Sequence, residues 1–484
     1  VVSGFDGYVT PAVTHYLEQL EQSLERAKAN APLHIMQSHG GVGGVDNVVE
    51  RPVGTVLSGL AAGVIGAASV GATAGHRNCI SLDMGGTSTD VALIRDGHAL
   101  ITSVGSFEDY PLNVPMVDVR TIGAGGSSIA FVDEGGALKV CPQSAGAMRG
   151  PACYGRGGTL HTVTDASLVL GYLNPETFAG GLQIDVDKSR AAIQEHVADP
   201  LGLDVAEAAL GIHTIVNANM AQTLRLVSIK RGHDPRDFTL IPFGGAGPLQ
   251  GGRLAEQASI AKVLVPPTPG VLSAMGLMLA PIQHEGLASY EVPAAEATPQ
   301  QIRDLIAPLD DDCGRRMGRD GVAAEDVSRR YFAEMRYVGQ SHQLEVEIDA
   351  ALGDDLIDEA IQAFHVAHHQ AYSHSDPTAA VEFVALRTVH RKPSDERSLL
   401  DKQRRTGDGQ PATTHRSVCL SAVDGYIDVP VYERATLPVG FRIVGPAIVE
   451  QSDTTTMIYD NHAACVDDFG NIIIDVPVEH GGAV

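Results

Sequence analysis

The apolar positions divide the chain into stretches of helical and of strand-like period. Val13, Tyr16, Leu17, Leu20 and Leu24 recur at helical spacing behind the start signal Thr10-Pro11, which predicts a helix running to about Asn30. LHIMQ (33–37) reads as a buried strand ending at the glycine-rich SHGGVGG. Residues 58–75, Gly/Ala-rich with Val64, Ile65 and Val70, predict a helix packed tightly against another. Two apolar runs flank a short glycine turn in ISLDMGGTSTDVAL (80–93), the pattern of a β-hairpin. Short strands punctuated by glycine follow. Asp204 then caps a helix over 205–231, with Ala208, Ile212, Ile215, Val216, Met220 and Leu224 on one face and Gly232 as its stop. FTLIPF (238–243) is a strand that runs through a glycine turn straight into a helix; AKVLVPP is another buried strand, and GVLSAMGLMLA a second small-residue helix.

The pattern changes past a Glu-, Ala- and Pro-rich stretch, residues 286–300, which reads as a linker. RYFAEMRYVGQSHQLEVEID alternates like antiparallel strands, 353–373 predict a helix, VEFVALRTVHR returns as strand, and an all-β stretch closes the chain. The expectation is an α/β region over 1–285, the linker, and a smaller α+β, β-rich region over 301–484.

At 484 residues, 44% apolar and 19% charged, the chain is long enough for large cores and has a globular composition. Its net charge of −25 argues against a nucleic-acid surface or an anionic membrane as partner. Cys79, Cys141, Cys153, Cys313, Cys419 and Cys465 are scattered with no C-x-x-C pair, as reduced thiols of a cytoplasmic protein would be. No apolar run is long enough for a membrane span.

The chemistry concentrates in the hairpin. Asp83 ends its first strand; Gly85 and Gly86 make the turn; Thr87, Ser88 and Thr89 supply hydroxyls; Asp90 opens the second strand. Glycines let backbone N–H groups approach an anion, hydroxyls add donors, and a carboxylate at a strand end can hold Mg²⁺. A lone Gly-Gly turn with solvated Thr and Asp would mean nothing; the eight-residue D-x-G-G-T-x-T-D string reads as a phosphate grip. The turn Gly244, Gly245, Ala246, Gly247, between a strand and a helix, places free N–H groups and a helix dipole where a nucleotide binds. Asp165, after T-V-T, either caps a helix or serves a polar site. Gly123, Gly125 and Gly126 either face an anion or form a bend. His365, His368, His369 and His374 read as a solvated helix face rather than a zinc site, and Cys153 as a buried thiol.

The same string resembles the phosphate hairpin of the hydantoinase A/5-oxoprolinase family, whose ATP-binding subunits belong to the sugar kinase, Hsp70 and actin superfamily. SGLAAGVIGA (58–67), TIGAGGSSIA (121–130), GPACYGRGG (150–158), HTVTDA (161–166), RGHDPRDF (231–238), FGGAGPL (243–249), GVLSAMGL (270–277), RYVGQ (336–340) and GPAIVEQSDTTT (445–456) are similar to further family blocks, in family order. The resemblance implies a ribonuclease-H-like ATPase lobe of actin type. It also implies ATP and Mg²⁺ as cofactors, with Asp83, Asp90 and Asp165 as catalytic residues and Asp83 as the metal ligand. Residues 85–89 (Gly85, Gly86, Thr87, Ser88, Thr89) and 244–247 would bind the nucleotide, the latter beside adenosine. The implied reaction is ATP-dependent opening of a lactam or cyclic imide of the 5-oxoproline or hydantoin class, with a hydantoinase B-type partner. An acetone carboxylase-type subunit and a non-catalytic actin-like scaffold are the alternatives.

Some positions depart from the family pattern. Leu60 replaces a usual Pro, Arg120 a usual His between Asp118 and Thr121, and Gln250-Gly251 a usual His-Ala. A structural metal on Asp118, residue 120 and Cys153 would lose a ligand, since Arg cannot coordinate. Family members carry another such hairpin before the point where this chain begins, so the first actin-like lobe is expected to be missing.

Overall fold

A computed structural model describes residues 2–29, 31–102, 105–107, 110–112, 114–229, 231–349, 353–394, 400 and 411–478. The hairpin strands Cys79–Met84 and Thr89–Arg95 lie inside a nine-stranded mixed sheet. Cys79–Met84 pairs in parallel with Thr239–Phe243, which pairs in parallel with Lys262–Val265. Thr89–Arg95 is flanked by Val119–Ile122. Beyond Lys262–Val265 the sheet continues through Ile472–Asp475, Ala463–Val466 and Arg442–Val444, strands from the far end of the chain.

Alternation gives the sheet two apolar faces. Ile80, Leu82, Met84, Val91 and Leu93 pack under Val163–Val169, Val205–Ile229 and Gly247–Ala258. Cys79, Ala92, Ile94, Ile241 and Phe243 pack under Ser58–Thr73 and Leu272–Leu279. Those last two helices touch backbone to backbone. A Cβ on Gly276 would lie 1.8 Å from the Ala62 carbonyl, and one on Gly66 2.7 Å from that of Leu272. The tight packing read from the small residues is therefore literal.

A second, six-stranded sheet runs His34–Met36, Val42–Gly44, Ile282–Pro293, Val381–Lys392, Ser328–Tyr337, Leu344–Ile348. Residues 286–300 are thus not a linker: Ile282–Pro293 is an inner strand paired with Val381–Lys392, with one register shift between Ser289 and Val292. Its polar residues are buried in pairs. Glu285 meets Arg387 at 2.9 Å and His284 meets Asp320 at 2.7 Å. Partners so distant in sequence leave no local trace. A four-stranded sheet of Thr413–Ser421, Gly425–Glu433, Ala447–Glu450 and Thr455–Ile458 leans on the first lobe, with Tyr426 donating to the Val169 carbonyl at 2.8 Å. Residues 411–478 accordingly pack with residues before 285, although 301–484 read as one region.

Two helices differ from expectation in detail. The first runs Val2–Arg26 with Pro11 inside it rather than at its start; one residue earlier the Thr10 hydroxyl donates to the Asp6 carbonyl at 2.7 Å. The histidines of Leu356–Tyr372 are not all solvated. His365 and His368 are buried, His365 against the Tyr337 hydroxyl at 2.9 Å and His368 edge-on to the Tyr337 ring.

Candidate nucleotide site

Asp83 and Asp90 are direct cross-strand partners in the hairpin, so both carboxylates stand on the same face of the sheet. Burial first, then the charge of Asp90, pushes the Asp83 carboxyl up from 3.8 to about 6, against an opposing hydrogen bond from Ser273. Burial also raises Asp90, opposed by the Thr121 hydroxyl, which donates to it at 2.5 Å. Two half-buried carboxylates that hold protons too readily suit a hard divalent cation. Mg²⁺ takes one or two carboxylates and completes its shell with water and phosphate oxygens.

The turn between them is open. A Cβ on Gly85 would meet nothing within 4 Å, and Gly86 and Thr87 are exposed. Thr89 faces the other way. It is fully buried and its hydroxyl donates to the Ala124 carbonyl at 2.6 Å, so it braces the hairpin rather than meeting a phosphate. The glycines of 123–126 are a second layer. Gly126 N donates to the Gly85 carbonyl at 3.0 Å, Ser127 N to that of Gly86 at 2.6 Å, and Gly125 N to the Ser128 hydroxyl at 2.8 Å. The donors of Gly125 and Gly126 are spent on support, not on an anion.

The second glycine turn arrives at the same place. Phe243 pairs with Asp83, and at Gly244, with φ of +78°, the chain turns so closely that a Cβ would lie 2.4 Å from Asp83 Oδ1. Ala246 N donates to the Met84 carbonyl at 3.0 Å. Gly245 is free of such crowding, its nearest neighbour for a Cβ being the Asp453 carbonyl at 3.7 Å. Here Gly247–Ala258 begins, its N-terminus beside the carboxyl ends of two parallel strands, where open α/β sheets bind ligands.

Sequence reasoning missed four residues at this place. Ser273 and Thr121 bond the two carboxylates; Thr454 donates to the Gly245 carbonyl at 2.9 Å, and Asp453 accepts from Gly270 N at 2.9 Å. GPAIVEQSDTTT was visible as a block, yet nothing local ties it to a turn some two hundred residues earlier.

Asp165 is a correction. Its carboxylate is buried and accepts from Ala152 N, Cys153 N, Thr162 N, the Thr162 hydroxyl and the Ser189 hydroxyl at 2.6 to 3.2 Å. Five donors on four lone-pair positions leave nothing for a substrate, and Asp165 closes the capping box of Val163–Val169. The capping alternative is the one realised. Cys153 lies against it, its thiol pushed far up by burial and that charge, hence unreactive. Asp118 forms an ion pair with Arg231. Gln250 is buried in the core, where its side-chain carbonyl accepts from Asn217 at 2.8 Å.

The sheet order, the two glycine turns and the crossing small-residue helices are those of an actin-like ATPase lobe. Within that class the chain belongs to the hydantoinase/oxoprolinase family, which it matches over residues 2–286, with the hydantoinase/oxoprolinase C-terminal domain matched over 291–473. It is 35% identical over 463 residues to the caprolactamase subunit alpha of Pseudomonas jessenii, covering 94% of this chain and 66% of that protein. The crystal structure of the ATP-dependent caprolactamase from that organism superposes with a TM-score of 0.87 at 33% identity, over 97% of this chain and 69% of the other. A nucleotide-free acetone carboxylase gives a TM-score of 0.73 at 26% identity, over 95% and 67%. The chain therefore spans about two thirds of the length of these relatives. Among the described residues no helix is long and apolar enough to cross a membrane.

Proposed function

We propose that this chain is the ATP-handling part of an enzyme that opens a cyclic amide, with a lactam as the preferred class. What carries the reading is the pairing of Asp83 and Asp90 beside an open glycine turn, in a chain 35% identical to a caprolactamase subunit. Gly85, Gly86, Thr87 and Ser88 bind phosphate oxygens; Asp83 and Asp90 hold the Mg²⁺ and orient the terminal phosphate; Gly244, Gly245, Ala246 and Gly247 face adenosine. MgATP, when bound, supplies the phosphoryl group that converts the unreactive amide oxygen into a leaving group. The residues themselves position and neutralise, which is most of what phosphoryl transfer asks of a protein. A hydantoinase B-type subunit then provides the hydrolytic step, and the cytoplasm supplies the ATP.

A carboxylase reading is the second, supported by the 0.73 superposition on acetone carboxylase. ATP hydrolysis by the complete enzyme, challenged with caprolactam, 5-oxoproline, hydantoin, or acetone with bicarbonate, separates the two. Lactam-stimulated turnover with ring-opened product is the expected result. Stimulation by ketone and bicarbonate alone moves the chain to the carboxylases, and no nucleotide binding under any condition leaves the scaffold.

A further inference from the structure

Residues 451–454 come from the part of the chain matched as a C-terminal domain, yet they sit on the glycine turn of the first lobe. Arg434 anchors the segment. Its guanidinium donates to Gln451 Oε1 at 2.9 Å and to the carbonyls of Val265 and Gly470 at 3.0 and 2.9 Å, tying it to the end of the Lys262–Val265 strand and to the turn before Ile472–Asp475. Gln451 Nε2 in turn donates to Asp453 Oδ1 at 2.7 Å, and Gln451 N to the Thr454 carbonyl at 3.1 Å, closing a tight loop. From that loop bonds reach out. Asp453 Oδ2 accepts from Gly270 N at the entry to Leu272–Leu279, the Thr454 hydroxyl donates to the Gly245 carbonyl, and Gln451 Nε2 donates to the Pro267 carbonyl at 3.4 Å. The contacts are close enough that a Cβ on Gly270 would lie 2.5 Å from Asp453 Oδ2.

Gly245 has no other bond of this kind among those described on its carbonyl, and its own side is open. A glycine here is conformationally loose unless its carbonyl is pinned. The hairpin is braced separately, by Thr89 and residues 124–127. The two halves meet where Ala246 N donates to the Met84 carbonyl and Ser273 bonds Asp83, but the Thr454 bond reaches only the glycine-turn half.

We propose that Asp453 and Thr454 are positioning residues for ATP: they hold the 244–247 turn and the start of the Leu272–Leu279 helix in the shape that receives adenosine. This rests on the nucleotide reading above. A support confined to the adenosine side makes a selective forecast. Thr454→Val, which keeps the shape and loses the donor, should weaken MgATP binding roughly tenfold, the worth of one well-placed hydrogen bond. Binding of magnesium tripolyphosphate, which engages only the hairpin side, should not change, and Thr454→Ser should restore MgATP affinity.

The test is calorimetric titration of the intact protein and these variants with both ligands, with thermal melting as the folding control. Gly245→Val is the reference, since it blocks the turn itself. If Thr454→Val binds MgATP normally while Gly245→Val does not, the clasp is wrong and the nucleotide reading stands. If Thr454→Val weakens both ligands equally, the effect is general and the clasp is also wrong. If Gly245→Val binds MgATP normally, or the intact protein binds none, both fall. Should Thr454→Val unfold, Thr454→Ala carries the same comparison, because it removes the same hydroxyl donor without adding bulk.

Discussion

Asp83 holds its proton more tightly than an exposed aspartate, and this has a measurable sign. Its carboxyl titrates at about 6 in the folded protein against 3.8 for the ordinary value. Between those values the native state binds more protons than the unfolded state, so stability falls as pH rises through the window and stays lowered above it. Asp83→Asn removes that cost. The variant should be more stable than the wild type at about pH 7, by on the order of 2 kcal/mol after discounting partial exposure, and no more stable near pH 4. It should also lose MgATP turnover in the complete enzyme. Urea melts at the two pH values and a steady-state ATPase assay check both; identical pH dependence of stability would show that Asp83 carries no such burden. Asp165→Ala should behave oppositely. Removing the acceptor of five buried donors should cost on the order of 3 kcal/mol or more, read as a fall in melting temperature. A melting temperature unchanged from wild type would return Asp165 to the catalytic list.

Among the elements, the Ser58–Thr73 and Leu272–Leu279 pair is the most exacting. Gly276→Ala places a methyl against the Ala62 carbonyl, so the helices must part, at a cost of about 1–3 kcal/mol. Because Ser273 lies on the same helix and bonds Asp83, the change should also disturb ATP turnover, whereas Gly314→Ala, in open space on an outer helix, should do neither. Melting curves of the two variants decide it. This pair was legible in the sequence because close helix packing requires small residues on the helices themselves, and the hairpin was legible because its pattern is local. Ile282–Pro293 was not. Its Glu, His and Gln residues look solvated until Arg387, Asp320 and His39 are brought to them by the fold. Thr89 and Asp165 were half legible: the motif placed them near the site, but only the second layer of residues 124–127 and the donors around residue 153 show that both serve as supports.

In the whole molecule, the last strands complete the first lobe. Lys262–Val265 is an inner strand only because Ile472–Asp475 lies beside it, in register from Lys262↔Asp475 to Val265↔Ile472. Deleting residues 441–478 should therefore unfold the nucleotide lobe instead of trimming an appendage, and sedimentation of the truncated protein should find it aggregated through the bared edge. The D-x-G-G-T-x-T-D string occurs once in this sequence, and on the proposed nucleotide reading that hairpin meets the phosphates from one side. The 484-residue chain by itself should show no substrate-dependent ATP hydrolysis, and a clean preparation that does would overturn the two-sided site. The joint at Val42, whose N–H donates to the Pro281 carbonyl at 2.9 Å as the strand Val42–Gly44 lies beside Ile282, has one more consequence. A cut in the peptide at residue 281 would leave each fragment holding strands that belong to the other's sheets: two from the N-terminal piece in the six-stranded sheet, three from the C-terminal piece in the nine-stranded one. Neither fragment is a domain that could be borrowed or lost alone. Co-expressed, they should find each other and reassemble, as the pieces of a split reporter do.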